Sequence, residues 1–281
     1  MILNIFKIII ISIFGSIYQS IGIGVDVDSY KYLVNIFMKI DNLSINFGNA
    51  LFVTIQIGIV LSILLLFYNR IWPFKKIRID DENKIGINIS RVKLLFKIVM
   101  SIIVYVLVKQ IYGDVIIKFL DAKIVNIVLL IILGGLIIVL QMNKKENKIN
   151  SLYEISWKEV FIIASFNVII GSIFHDVSLL SIMIIIGLCF CMAKNIIFEY
   201  GLYMLLFSYI INFLLNIPLF YGFNLNEWIL LSISVIFSFI SSVLIIRGFM
   251  DFLQKGNYRF IGIFKVIIAL YYLILIFLKL I

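Results

Sequence analysis

Six apolar runs, at about 50–69, 95–120, 123–142, 196–222, 228–250 and 260–281, take up most of this 281-residue chain. Each is long enough to cross a bilayer, since a helix needs about 20 apolar residues to climb roughly 30 Å of hydrocarbon at 1.5 Å per residue. Lipid offers no partners to backbone N–H and C=O groups, so such runs fold as helices. The chain reads as an all-α polytopic membrane protein. Composition agrees, with 63% hydrophobic and 14% charged residues against roughly 45–50% and about 25% in soluble domains. Too little sequence remains for a separate soluble domain.

Two further apolar stretches, at about 159–174 and 178–192, are short for crossings and are separated by the polar break His175-Asp176. They read as a re-entrant hairpin. The first 24 residues are mostly apolar, Lys7 interrupts them early and no small-x-small cleavage site follows, so they read as retained rather than as a removed signal peptide. Asp26, Asp28, Lys31, Lys39 and Asp41 then make the next stretch too polar to cross lipid alone. The N-terminal run and this stretch read as a second hairpin. Irregular backbone at membrane depth survives only under cover of protein or water, so paired half-helices surround a site.

Basic residues collect in alternate loops. Arg70, Lys75, Lys76, Arg78, Lys84, Arg91 and Lys93 follow the first full span, and Lys144, Lys145, Lys148, Lys158, Lys194, Arg247, Lys255 and Arg259 fall on the same side. Loops near 119–122 and 221–227 carry none. The positive-inside rule makes the basic loops cytoplasmic. With both short pairs re-entrant, both termini face outward. The net charge of +9 is thus a topology signal with attraction to anionic lipid, and no nucleic-acid partner is expected. Two cysteines and one histidine exclude a disulfide framework, a four-thiolate zinc site and a multi-histidine site. Cys189 and Cys191 read as buried apolar fillers.

Three segments carry more than composition. These are Phe52-Val53-Thr54-Ile55-Gln56-Ile57-Gly58 with Phe67-Tyr68-Asn69-Arg70 further on, Tyr112-Gly113-Asp114 followed by Leu133-Gly134-Gly135-Leu136, and Phe264-Lys265-Val266-Ile267-Ile268-Ala269. Their order resembles the Gln-x-Gly helix, the third and fourth spans, and the terminal aromatic-Arg-apolar helix of the undecaprenyl pyrophosphate phosphatase family, the bacitracin-resistance type. The resemblance implies six transmembrane helices plus two re-entrant helix hairpins in inverted repeats, repeat 1 at about 1–142 and repeat 2 at about 155–281. It also implies a polar, outward-opening pocket that releases phosphate from undecaprenyl pyrophosphate, regenerating the lipid carrier for the cell wall, in a multi-pass protein of the bacterial cell membrane.

The family's reactive motifs are not kept. Its two glutamates fall at Tyr18 and Gly22, the proline of the following turn at Val25, its serines at Val27 and Asp28, its threonine at Ser29 and its histidine at Lys31. Its second motif, Pro-Gly-x-Ser-Arg-Ser-Gly, falls on residues 173–179, where Ser178 alone matches. Phosphoryl transfer depends on positioning and on cationic stabilisation of charge. Losing such an arginine costs on the order of 10³–10⁵ in rate, and losing a general acid or base roughly 10²–10⁴.

The replacement candidates are Asp28, His175, Asp176 and Ser178 for chemistry, and Ser29, Lys31 and Gln56 for substrate binding. Asp26, Asp28 and Asp176 are the candidates for a metal. If the hairpin tips meet, the carboxylates suit a divalent cation, Mg²⁺ or Ca²⁺ where the protein is catalytic, and Lys31 suits an anion. No cofactor follows otherwise. The alternative reading is that these are loop and cap groups, with Asp176 or Ser178 capping a helix that begins near Leu179.

Other polar residues within the spans read as structural. Asn126, Asn167 and Asn212 read as interhelical glue, as does Gln56 in its second reading. Glu199 is expected to pair with Lys194. Lys109 lies within a span, and Lys265 either braces the repeats or snorkels to the headgroups. Trp72, Trp157 and Trp228 read as interfacial anchors.

Three functions remain. The first is a protein that binds or moves polyprenyl phosphate or pyrophosphate with standard hydrolysis weakened or lost. The second is an active phosphatase with a rearranged site, and the third a non-catalytic subunit of a membrane complex. The expected partners are membrane lipid and, with the dimer question left open, a second copy of the chain.

Overall fold

The computed structural model describes residues 2–21, 43–44, 46–79, 82–103, 123–143, 146–173 and 179–277. Nine helices run along these residues: α1 (Ile2–Ser20), α2 (Phe47–Ile71), α3 (helical residues 89–103), α4 (Lys123–Met142), α5 (Trp157–Ile173), α6 (Leu179–Cys189), α7 (Lys194–Leu215), α8 (Leu225–Lys255) and α9 (Arg259–Phe277). Within the described residues each apolar run is helical, with ends shifted by a few residues where caps extend it. Asn88 Oδ1, for example, accepts from the backbone N–H of Ser90 (3.1 Å) and of Arg91 (3.3 Å) and starts α3 before its apolar run. The protein is thus a polytopic, mainly helical membrane protein.

One element was not legible as such. Between α2 and α3 the basic segment forms an antiparallel hairpin of β1 (Phe74–Ile79) and β2 (Glu82–Ile87), with Phe74 opposite Ile87 and Ile79 opposite Glu82. Four of its twelve strand residues are Lys or Arg, and they obscure the alternation of Ile77 with Ile79 and of Ile85 with Ile87.

By length and apolarity four described helices qualify as crossings: the Leu3–Ser20 stretch of α1, and α2, α7 and α8. Packing separates α1 from the other three. Ser12 donates to Ser234 (2.9 Å), Ser16 and Ser241 share a 2.5 Å hydrogen bond, and Ser20 donates to Ser242 (3.5 Å), so α1 runs parallel to α8. It stops beside Ser242, about 20 Å short of the far end of α8 at 1.5 Å per residue. By Ser44 the chain is back at the start of α8, where the Ser44 N–H donates to Glu227 Oε1 at 2.6 Å. The first hairpin therefore enters and leaves by the same side.

The second hairpin does so from the opposite side. With 11 residues, α6 rises about 16 Å, half of what a crossing needs. Its exit is tied to the chain that leads into α5: Lys148 N–H donates to the Cys191 carbonyl, Ala193 N–H donates to the Ile149 carbonyl (both 2.8 Å), and Ile149 bridges Met192. Both ends of α5–α6 thus lie on the side that carries Arg70, Lys97 and Lys194. Cys189 and Cys191 correct the sequence reading here, because one is exposed and the other partly so. The helix ends at Cys189 and the chain turns through Cys191 at φ 54°, past the fully packed stretch Leu179–Leu188.

Small residues let the remaining helices approach. A Cβ on Gly58 would lie 1.9 Å from Ser238 Oγ and 2.8 Å from the Phe239 backbone nitrogen, and one on Gly134 would lie 2.7 Å from the Gly262 carbonyl oxygen. The Gln-x-Gly and Gly-Gly motifs thus mark the α2/α8 and α4/α9 crossings. Trp72, Trp157 and Trp228 are about half exposed at helix ends, as interfacial anchors should be.

Candidate functional site

Asp26, Asp28, Ser29, Lys31, His175, Asp176 and Ser178 all lie outside the described residues, as do Lys109 and the side chain of Asn126. Among the described residues no group of three His, Cys, Asp or Glu side chains comes together to hold a metal ion. What can be built is the frame that carries the two hairpins, together with Gln56.

Gln56 sits on α2, buried, and its Oε1 accepts from Asn212 Nδ2 on α7 at 2.6 Å. Asn212 in turn accepts from Asn216 Nδ2, 2.9 Å at Oδ1 and 2.8 Å at its backbone oxygen. This amide chain realises the interhelical reading of Gln56 and Asn212. It lies toward the end of α7 that leads to the aromatic loop of Phe220, Phe223 and Trp228, whose rings stack or meet edge-on within 6.3 Å.

The same two helices are joined again at their other ends. Arg70 Nη1 lies 2.7 Å from Glu199 Oε2, whose carboxylate is 2% exposed, and Glu199 Oε1 accepts from Tyr203 at 2.5 Å. This corrects the expected Glu199–Lys194 pair. Residues five apart on a helix point about 140° away from each other, so Lys194 turns outward from Glu199 and donates to the Gly256 carbonyl at 2.6 Å. Tyr258 completes that knot by donating to the Lys194 carbonyl at 2.7 Å. Lys265 is buried to 0% exposure on α9 beside Gly134 of α4, which rules out snorkelling.

Around the hairpins lie further polar groups, the serines of α1 unexpected from the sequence and Asn167 bonding between helices as expected. Ser12, Ser16 and Ser20 at a spacing of four, with Gln19 between them, make a buried polar stripe on α1. On α5, the Asn167 Nδ2 donates to the Ser101 carbonyl of α3 at 3.4 Å, and Ser101 shares a 2.8 Å hydrogen bond with Tyr200 of α7. The i, i+4 repeat of serines was the available signal for the stripe, hidden in a segment scanned for apolarity alone.

Two segments whose described ends return to the side they entered from, one on each side of a helical bundle, define a class: polytopic membrane proteins with re-entrant segments. Within that class the chain belongs to a known family, matching the one described as bacitracin resistance protein BacA over residues 30–271. Relatives extend over nearly the whole length. One from Desulfitobacterium hafniense, named undecaprenyl-diphosphatase, is 27% identical over 280 residues, covering 95% of this chain and 94% of its own. Another of that name, from Enterococcus faecalis, is 24% identical with 97% of each chain covered. The undecaprenyl-diphosphatase 1 of Clostridioides difficile is 23% identical over 95% and 94%. The family resemblance drawn from the motifs thus holds.

Proposed function

We propose that this membrane protein handles undecaprenyl-type polyprenyl phosphate or pyrophosphate at a site between its two hairpins, with hydrolysis by the family's usual groups weakened or lost. The observation that carries the reading is the family match over residues 30–271 in a chain whose positions for that family's two glutamates, histidine and arginine hold Tyr18 and Gly22, Lys31, and Val177. Lys31, Ser29 and Gln56 are the proposed binding groups. The basic side, with Arg70, Lys97 and Lys194, is proposed to be cytoplasmic.

Contacts across the bundle support the inverted-repeat division near residues 142 and 155. Under the exchange of α1 with α5, α2 with α7, α3 with α8 and α4 with α9, the α1–α8 serine bonds correspond to the Asn167–Ser101 bond of α5 with α3. The α2–α8 crossing at Gly58 corresponds to the Tyr200–Ser101 contact of α7 with α3. The α4–α9 crossing at Gly134 and Gly262 maps onto itself.

A second reading is favoured by the relatives, which carry the name undecaprenyl-diphosphatase at nearly full coverage. In it Asp26, Asp28, His175 and Asp176 form a rearranged active site and Mg²⁺ or Ca²⁺ is held by the aspartates. The test is purified protein in detergent or vesicles with undecaprenyl pyrophosphate, with and without Mg²⁺ or Ca²⁺. The first reading predicts saturable binding with phosphate release near background. Rapid release that is abolished by Asp28→Asn or Asp176→Asn replaces it with the second, and absence of both binding and release removes both.

A further inference from the structure

The first hairpin's helix ends on a buried amide that the protein itself leaves unsatisfied. Gln19 is 8% exposed, and neither its Oε1 nor its Nε2 has a hydrogen-bond partner in the structure. It lies three residues beyond Ser16 and so shares the face on which Ser12, Ser16 and Ser20 bond to α8. The second hairpin repeats the feature. Asn167 is fully buried on α5, its Nδ2 is used on Ser101, and its Oδ1 is left without a partner.

Gln19 lies about 25 Å along α1 from its start. The 31 residues of α8 span about 46 Å, and Ser16 and Ser20 bond to Ser241 and Ser242, so Gln19 falls level with the middle portion of α8. An unsatisfied buried polar group is destabilising, and the serines on the same face of α1 are all bonded while Gln19 is not. A ligand that supplies the missing partners removes the cost when it binds.

We infer that Gln19 is a ligand-binding residue of the headgroup site, its Nε2–H donating to a phosphate oxygen while Oε1 accepts from a phosphate hydroxyl or a water held with it. This deepens the proposed function and rests on it: the class of ligand is a phosphate monoester or diphosphate, from a lipid or free in solution. At the family's glutamate position the neighbouring residue is Tyr18, so a neutral amide takes over contact with the headgroup and binds it without ionising.

The test compares wild type, Gln19→Leu and Gln19→Asn in detergent, reading the thermal midpoint without ligand and the Kd for undecaprenyl phosphate, with inorganic phosphate as competitor. The expected result is that Gln19→Leu has a midpoint equal to or above wild type, because an unpaired amide is gone, yet binds the lipid at least tenfold more weakly. Gln19→Asn keeps part of the affinity, and inorganic phosphate displaces the lipid from wild type. A lower midpoint in Gln19→Leu with unchanged Kd makes Gln19 a packing residue and overturns the inference while leaving the lipid reading intact. Displacement by undecaprenol but not by inorganic phosphate assigns recognition to the chain rather than the headgroup and also overturns it. If wild type binds no undecaprenyl phosphate, the lipid reading itself fails and takes this inference with it.

Discussion

Asn212 on α7 donates a 2.6 Å hydrogen bond to Gln56 on α2, and fourteen residues along α2 and thirteen back along α7 the same two helices are joined again by Arg70 and Glu199. Two polar fasteners about 20 Å apart hold one helix from each half of the chain in an antiparallel pair. Both hairpins are positioned against the bundle that this pair organises, α1 against α2 and α8, α5 and α6 against α7 and α3.

The Gln56–Asn212 bond is testable as a pair. Gln56→Leu strands Asn212 and is expected to cost about 1–3 kcal/mol, while Gln56→Leu/Asn212→Leu loses less than the sum of the single changes. A double-mutant cycle on detergent-solubilised protein should return a coupling of about 0.5–2 kcal/mol. A coupling of zero would show that the two amides do not depend on each other.

At the other fastener the burial is one-sided, since Arg70 is largely exposed and Glu199 is not. Arg70→Leu leaves a buried carboxylate with Tyr203 alone, so its thermal midpoint should fall below that of Arg70→Leu/Glu199→Gln, in which the charge is removed as well. Equal midpoints for the two would mean that water reaches Glu199 freely.

Close helix contact makes Gly58 intolerant of side chains. Gly58→Ala places a Cβ against the Phe239 backbone nitrogen as well as Ser238 Oγ, and backbone cannot rotate away. Overpacking of this kind costs about 1–3 kcal/mol. Ser238→Gly should rescue Gly58→Ala only in part, a result read from the thermal midpoints of the three variants. Full rescue would place the clash on the serine alone.

Much of this architecture is written in the chain. Run length gave the helices, and the short runs at about 159–174 and 178–192 with a polar break at His175-Asp176 gave the second hairpin, because runs of that length fall short of the roughly 20 residues a crossing needs. What escaped was pairing between distant residues. Glu199 found Arg70 rather than Lys194 because helical geometry turns Lys194 away, and the choice among basic residues from other helices needs the fold. Asn167 bonds between helices as its place in an apolar run suggested, whereas nothing in the sequence marks Gln19 as a buried amide without a partner. The basic β-hairpin was masked by its own lysines. Of the site residues proposed from motifs, Gln56 is the one in the described frame, and there it is held by Asn212.

Sidedness of the hairpins carries the whole account, and thiol accessibility in oriented vesicles measures it directly. Single cysteines at Ser44, Ser151 and Asn224, each in a Cys189→Ser/Cys191→Ser background, and the native Cys189 alone, are treated with a membrane-impermeant maleimide. The account predicts that Ser44→Cys and Asn224→Cys label from one side, and Ser151→Cys and Cys189 from the other. Labelling of Ser151→Cys and Cys189 from opposite sides would make α5–α6 a net crossing and contradict it.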